Sequence, residues 1–258
     1  MNSQASGRIA VVTGGTAGIG LACAERLLAT GYRVAVFSTK AARVEKARED
    51  LSRKFGADKV RADVVDLRDP DALKGFFEDL KKTWGSADVL VCNAGYSPKP
   101  NGQRLAFDTI PLSEWHEVMA INLTGAMLCC QIAAPLMAAK GFGRIILIGS
   151  MASRTMPRIA GASYVASKAA LGGMAKSLVS EYSAHGVTTN TVAPGNVLTE
   201  MLGAPDSPAN LAAAARVPSG RLGRPEDIAA VVSFLASDQA EFVNGAVIDV
   251  NGGEYLPC

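Results

Sequence analysis

Short apolar runs alternate with longer amphipathic stretches along most of this chain, and each pattern identifies one kind of element. The apolar runs predict strands near Ile9 to Val12, Arg33 to Phe37, Lys59 to Ala62, Val89 to Cys92, Arg144 to Ile148, Thr188 to Val192 and Ala246 to Val250. The stretches between them predict helices near Ile19 to Thr30, Ala42 to Phe55, Asp71 to Trp84, Ser113 to Ala139, Ser163 to Ala184 and Pro225 to Ala236. Ser113 and Ser163 stand where N-caps are expected, and Pro225 sits at a first-turn position. Strict strand–helix alternation implies an α/β fold: a doubly wound, seven-stranded parallel sheet with right-handed crossovers and helices on both faces. In such sheets ligands bind beyond the carboxyl ends of the strands. No internal repeat or low-complexity segment breaks the pattern, so residues 1–258 read as one domain. Two connections are long, near residues 96–111 and 199–220, and both leave carboxyl ends of strands. Loops of that length are uncommon unless they serve function, which assigns them to the substrate side.

Composition narrows the partner. Twenty-six Lys and Arg face 24 Asp and Glu, and the basic residues form no run, which argues against a nucleic-acid surface or an anionic membrane patch. A small molecule is the expected ligand. Of five cysteines, Cys23, Cys92, Cys129 and Cys130 lie in apolar runs and read as buried, reduced side chains, leaving only terminal Cys258 as a candidate exposed thiol. His116 and His185 lie far apart with no acidic pair framing either, so no metal site is expected. The start, MNSQASGRIAVVTGG, has neither a basic segment nor a long apolar one, and no apolar stretch approaches the length of a membrane span. A soluble, cytoplasmic protein is the expectation.

Two local patterns carry chemistry. Directly after the first predicted strand comes TGGTAGIG, Thr13 to Gly20, where Gly14, Gly18 and Gly20 let the backbone turn tightly and face its amides toward a pyrophosphate at the next helix's N-terminus. The spacing is not GxGxxG, and a glycine loop alone is also an ordinary strand-to-helix turn. In SYVASKAALGG, Tyr164 and Lys168 stand four residues apart and so share a helix face. A tyrosine of pKa about 10 is a poor proton donor or acceptor at neutral pH, and a fixed neighbouring cation lowers that value. Alone, the pair also fits a half-buried tyrosine beside a solvated lysine.

Taken in order, these motifs resemble those of the short-chain dehydrogenase/reductase family, and the likeness runs from Arg8 to Gly253. They comprise TGxxxGxG (Thr13 to Gly20), NAG (Asn93, Ala94, Gly95), an asparagine in INLTG (Asn122), YxxxK (Tyr164, Lys168) and a PG dipeptide (Pro194, Gly195). The resemblance implies a Rossmann-like fold and an oxidoreductase interconverting a secondary alcohol and a ketone with a nicotinamide coenzyme. It implies that Tyr164 is the acid and that Lys168 lowers its pKa and binds the nicotinamide ribose. Ser150, ending RIILIGS, would hold the substrate oxygen, and Asn122 would anchor a water in a proton relay. The coenzyme would lie against Gly14, Thr16, Gly18, Ile19, Gly20, Asn93, Ala94, Gly95, Pro194 and Gly195, with Asp63 and Val64 at the adenine end. Thr199 would hold the carboxamide and Val197 would contribute its backbone.

Coenzyme choice is read at the end of the second strand, where an acid accepts the adenosine ribose hydroxyls and repels a 2′-phosphate. Here VAVFSTK places Ser38 at that point, with Lys40 and Arg43 nearby, which points to NADP with NAD as the alternative. Ser150 precedes Tyr164 by fourteen positions, whereas thirteen is usual in the family, so the loop SMASRTMPRIAGAS has one extra residue and Ser153 is the second candidate serine. Ala169, Ala170, Gly172 and Gly173 on the Tyr164 helix fit close helix approach, as in the homotetramers and homodimers of relatives. Substrate contacts are expected from Tyr96, Lys99, Arg104, Met201 and Leu202 on the long loops and from Arg154, Met156 and Arg158. They suit a polar or anionic ketone with some apolar length, a 3-oxoacyl thioester being one case. A non-catalytic nicotinamide-sensing protein is the alternative of a different class.

Overall fold

Seven parallel strands in the order β3-β2-β1-β4-β5-β6-β7 form one sheet in a computed structural model that describes residues 7–204 and 206–257. The strands are β1 (Ile9–Thr13), β2 (Arg33–Ser38), β3 (Val60–Val64), β4 (Val89–Cys92), β5 (Gly143–Ile148), β6 (Val187–Pro194) and β7 (Val247–Val250). β1, β4 and β5 are buried at every position, as expected of strands covered on both faces. The same holds for β6, although it carries Thr188, Thr189, Asn190 and Thr191. Asn190 justifies its place by donating to Val243 O and accepting from Ala246 N, which steers the chain into β7.

Helices α1 (Gly18–Ala29), α2 (Ala41–Phe55) and α8 (Pro225–Ala236) cover one face of the sheet. Helices α3 (Pro70–Thr83), α5 (Gly125–Lys140) and α6 (Ala162–Tyr182) cover the other. Pro70 and Pro225 occupy first-turn positions, and Asp69 caps α3 through the Asp71 and Ala72 amides. The order reverses between β1 and β4, and the crevice opening there at the carboxyl ends is where a doubly wound sheet takes its ligand.

Four local expectations are corrected. The stretch expected as one helix from Ser113 to Ala139 is α4 (Leu112–Met119), a wide π turn at Ala120–Thr124 and then α5. Neither Ser113 nor Ser163 is an N-cap: the caps fall on Pro111 and Gly161, and Ser163, inside α6, donates to Glu114 Oε1 at 2.8 Å. The segment 199–220 contains a helix, α7 (Pro208–Ala214), with Ser207 as N-cap and Pro208 at the first position. The segment Leu112–Lys140 is long and contains a stretch apolar enough to cross a membrane, contrary to expectation. Its apolar side chains, among them Cys129, Cys130, Ala133 and Met137, instead form part of the protein core.

Candidate active site

β1 delivers the chain into the glycine turn, and hydrogen bonds from three sides shape that turn. Gly14 N donates to Phe37 O at 2.9 Å, while Asn93 Nδ2 donates to Thr13 O and Gly14 O at 2.9 and 3.2 Å. Thr13 Oγ1 accepts from the amides of both Asn93 and Ala94. Asn93 thus buttresses the loop, its amide turned toward Thr13 and Gly14. Gly14 and Gly18 have φ of +63° and +53°, the left-handed region that favours glycine. A Cβ at Gly20 would lie 2.4 Å from both Gly14 O and Asn93 Nδ2, so only glycine fits there.

This loop suits a dinucleotide on two observations. Bare glycine backbone forms a cradle that side chains would fill, and α1 opens at Ala17 with no side-chain cap and no acidic residue in its first turn. Its first amides are therefore available to a pyrophosphate. Ile19 lies in that first turn. Thr199, after β6, closes over the loop, its Cγ2 3.2 Å from where a Gly18 Cβ would be. Val197 bridges Gly223 through its neighbours, Asn196 O and Leu198 N, which leaves its own amide and carbonyl facing the other way. Gly195 packs against Asn251, where a Cβ would lie 2.9 Å from Asn251 Cα, so the turn after Pro194 needs glycine.

At the end of β2, Ser38 accepts a hydrogen bond from Thr16 Oγ1 at 3.0 Å, which ties the glycine turn to the expected 2′-phosphate position. Asp63 and Val64 sit beside Phe37 and Ser38 on β3, in the expected adenine region. Asp63 is paired with Arg61, Nε to Oδ2 at 2.7 Å, so its carboxylate is already engaged. Lys40 is exposed at the N-cap of α2. Arg43 is not a free cation, as the sequence suggests: its Nη2 meets Glu200 Oε2 at 2.5 Å across the mouth of the crevice.

The four chemistry-bearing side chains converge beyond β4 and β5. Ser150 follows β5 and caps the short turn Met151–Ser153, its Oγ accepting from Ala152 N at 3.1 Å. Its hydroxyl lies near enough to the Tyr164 phenol to favour the phenol's ionised form. Ser153, the second candidate, turns back and donates to Ser150 O at 2.8 Å. The one-residue-longer loop therefore leaves Ser150 beside the tyrosine.

Lys168 lies beneath this pair, only 5% exposed, and donates to Ile148 O at 2.8 Å. Its Nζ stands 5.9 Å from the Tyr164 ring centroid. The electrostatics differ from the sequence expectation. Burial pushes the Tyr164 phenol above its ordinary pKa, with the Ser150 hydrogen bond pulling the other way, and the lysine does not bring it down. Burial instead pulls the ammonium of Lys168 down to about 8, against a smaller opposing influence from Cys92. Gly95 keeps space open here, since a Cβ on it would lie 3.3 Å from Lys168 Nζ and 3.8 Å from Asn122 Oδ1.

Asn122 sits in the π turn, a distortion frequent at functional sites. Its Oδ1 accepts from Tyr96 N at 2.7 Å, and its Nδ2 donates to Tyr96 O and Ser167 Oγ at 3.0 Å each. The side chain thus clamps the start of the 96–111 loop to α6, and both amide protons are engaged before any water is considered. Ser167, which the sequence reading passes over, completes the clamp by donating to Tyr164 O at 2.7 Å. The i, i+3 spacing of Tyr164 and Ser167 was its only sequence signal.

The remaining candidates are dispersed. Arg154 is paired with Asp249, Nε to Oδ1 at 2.8 Å, and so is not a free substrate cation. Arg104 lies against Gly161 at the start of α6, with its Cβ 3.9 Å from where a Gly161 Cβ would be. Cys23, Cys92, Cys129 and Cys130 are buried free thiols as expected, Cys23 pushed up to about 12 by burial; Cys258 lies outside the described residues. Among the described residues no group of three or more His, Cys, Asp or Glu is placed to hold a metal.

A family described as Enoyl-(Acyl carrier protein) reductase matches residues 14–254. The 3-oxoacyl-[acyl-carrier-protein] reductase FabG of Salmonella typhimurium is 36% identical over 250 residues, covering 97% of this chain and 98% of that protein. The chain belongs to the short-chain dehydrogenase/reductase family. A 3alpha-hydroxysteroid dehydrogenase of Mediterraneibacter gnavus is 34% identical over 245 residues, 95% of this chain and 96% of that protein. Among solved structures, a 3-oxoacyl-[acyl-carrier protein] reductase from Brucella melitensis superposes with a TM-score of 0.93 at 30% identity, covering 99% of this chain and 94% of that one. A putative NAD(P) dependent gluconate 5-dehydrogenase from Beutenbergia cavernae, with bound NADP at low occupancy, does so with a TM-score of 0.87 at 36% identity, covering 96% and 97%. As a short-chain dehydrogenase/reductase, this protein is an NAD(P)-dependent oxidoreductase acting between alcohol and ketone.

Proposed function

We propose that this short-chain dehydrogenase/reductase reduces the 3-oxo group of an acyl thioester. The observation carrying the reading is the convergence of Ser150, at the end of β5, and Tyr164, on α6, on a buried Lys168 whose Nζ stands 5.9 Å from the Tyr164 ring centroid and donates to Ile148 O. Bound NADPH supplies the hydride.

In this reading the residues divide the remaining work. Ser150 donates a hydrogen bond to the carbonyl oxygen and fixes its position, a preorganised donor of the oxyanion-hole type. Tyr164 gives the proton that the developing alkoxide requires, and its raised pKa keeps it protonated before the reaction. Lys168 stabilises the phenolate left behind and, with a pKa near 8, can pass a proton to it close to neutral pH. Asn122 holds the Tyr96 backbone and α6 in register. Gly14, Thr16, Gly18, Ile19 and Gly20 would cradle the pyrophosphate, with Ala94, Gly95, Pro194, Gly195, Val197 and Thr199 bordering the nicotinamide half. Ser38 and Lys40 would face the 2′-phosphate, Arg43 being held by Glu200.

The side chains around the site favour a substrate with an apolar arm over a polyol. Tyr96, Met156, Ile159 and Met201 are exposed apolar residues on three loops at this end of the sheet, while Arg104 and Arg158 are exposed cations nearby. An acyl chain suits the former and a phosphate-bearing carrier the latter. The protein is accordingly read as one catalytic domain, cytoplasmic and homo-oligomeric, most simply a tetramer.

The test is NADPH oxidation with acetoacetyl-coenzyme A, a 3-oxosteroid, 5-ketogluconate and crotonyl-coenzyme A. Fastest turnover of the acetoacetyl thioester is the expected result. Preference for crotonyl-coenzyme A would overturn carbonyl reduction, and preference for either other ketone would overturn the thioester assignment.

A further inference from the structure

Ser150 is anchored on its N-terminal side by the sheet, because Gly149 N donates to Val192 O at 2.7 Å. On its C-terminal side lies the catalytic loop with its one extra residue. That side begins as a closed turn: Ser150 O accepts from both Ser153 N and Ser153 Oγ, Ser150 Oγ accepts from Ala152 N, and Arg154 N donates to Met151 O at 2.9 Å. Residues 150–154 therefore move together, with Ser150 at one end and Arg154 at the other. Beyond Arg154 the chain rises to the surface, Met156 being 89% exposed.

The far end of this unit is fastened by one contact. Arg154 Nε stands 2.8 Å from Asp249 Oδ1, with the two side chains 26% and 11% exposed, and the Tyr255 ring covers the guanidinium at 5.5 Å. Both atoms are shut away from solvent, and among the described residues neither has a hydrogen-bond partner, so the 2.8 Å contact is an ion pair without hydrogen-bond alignment. Asp249 is held in turn, since it lies on β7 in register with Ala193 on β6, one residue before Pro194. A buried charge whose only counter-charge is removed is strongly disfavoured, so the two are committed to each other.

We propose that Arg154 and Asp249 are positioning residues: they clamp the turn that presents Ser150 to the substrate oxygen and so compensate for the longer loop. The inference rests on Ser150 acting at that oxygen, as the proposed function has it. A misplacement of about 1 Å lowers turnover by up to roughly a hundredfold. Loosening the clamp therefore acts on kcat, while the coenzyme cradle on β1 and α1 is untouched.

The experiment is a double-mutant cycle on Ser150→Ala and Asp249→Asn, with kcat and KM measured on whichever panel ketone is reduced fastest, alongside NADPH affinity and melting temperature. Ser150→Ala alone is expected to lower kcat about a hundredfold, as loss of an oxyanion donor does. Asp249→Asn is expected to lower kcat at least roughly tenfold with NADPH affinity unchanged, and Ser150→Ala on top of it to lower kcat by less than about tenfold more. Asp249→Glu, which keeps the carboxylate, should recover much of the loss. If Asp249→Asn does not fold, Arg154→Lys serves in its place, since it keeps the charge and lacks Nε. Full additivity of the two losses, or unchanged kcat in folded Asp249→Asn, overturns the clamp. No effect of Ser150→Ala in the wild-type background overturns the serine's assigned role instead.

Discussion

Lys168→Met removes the one buried ammonium of the site, and the consequence for stability depends on pH in a calculable way. Burial holds the folded-state pKa at about 8, against 10.5 for the ordinary lysine of the unfolded chain. Below pH 8 the ammonium is charged in both states, and the folded protein carries the whole cost of burying it. Between the two values it is neutral when folded and charged when unfolded, so the unfolded chain binds more protons and stability rises with pH. Above the unfolded value it is neutral in both, and the penalty is gone. The full span of 2.5 units is about 3 kcal/mol, at 1.36 kcal/mol per unit, and the part between about pH 7.5 and about pH 9.5 is about 2 kcal/mol. The hydrogen bond to Ile148 O can persist in either protonation state, so its loss in the variant shifts the curves by a constant. The assay is urea unfolding of wild type and Lys168→Met across that pH range without coenzyme, with the difference in unfolding free energy plotted against pH. Other titrating groups are common to both proteins and cancel. The wild type should gain about 2 kcal/mol relative to the variant from the lower to the higher pH. A flat difference would refute the depressed pKa, and with it the ability of Lys168 to exchange protons near neutrality.

Further consequences concern the acid, the coenzyme and the glycine turn. Tyr164→Phe should lower kcat by about two to four orders of magnitude while NADPH binding and melting temperature change little; turnover near the wild-type value would show that another group supplies the proton. Ser38→Asp places a carboxylate beside Thr16 at the expected 2′-phosphate position, and the ratio of kcat/KM for NADPH over NADH should fall by roughly tenfold or more. An unchanged ratio would move coenzyme selection elsewhere. Gly20→Ala forces a Cβ to 2.4 Å from Gly14 O and Asn93 Nδ2, and chemical denaturation should record a loss of about 1–3 kcal/mol together with weaker NADPH binding.

Strand positions were legible from the chain because each is a continuous apolar run between polar turns. β4 came out at Val89–Cys92 as expected, and most other ends moved by one or two residues, β1, for example, extending to Thr13. α7 was within reach of the same reasoning, since Ser207-Pro208 is an N-cap and first-turn proline before an alanine-rich stretch. The length of the surrounding loop concealed it. The π turn at Asn122 left no comparable signal, because a helix that widens by one residue per turn keeps its apolar pattern and changes only where one side chain points.

What the amino-acid order determined by itself was local and periodic: the strand–helix alternation, the glycines that a tight turn demands, and Tyr164 and Lys168 on one helix face. Each follows from contacts between residues a few positions apart. The tertiary structure decided everything that depends on distant segments meeting. It decided that Ser150 faces Tyr164 while Ser153 turns back, and that Arg43 and Arg154 are engaged by Glu200 and Asp249 rather than awaiting a ligand. It also reversed the expected electrostatics of the pair, because a pKa follows the burial and neighbours that folding assembles. Depth within the fold raised the phenol and depressed the ammonium, and no spacing along the chain encodes depth.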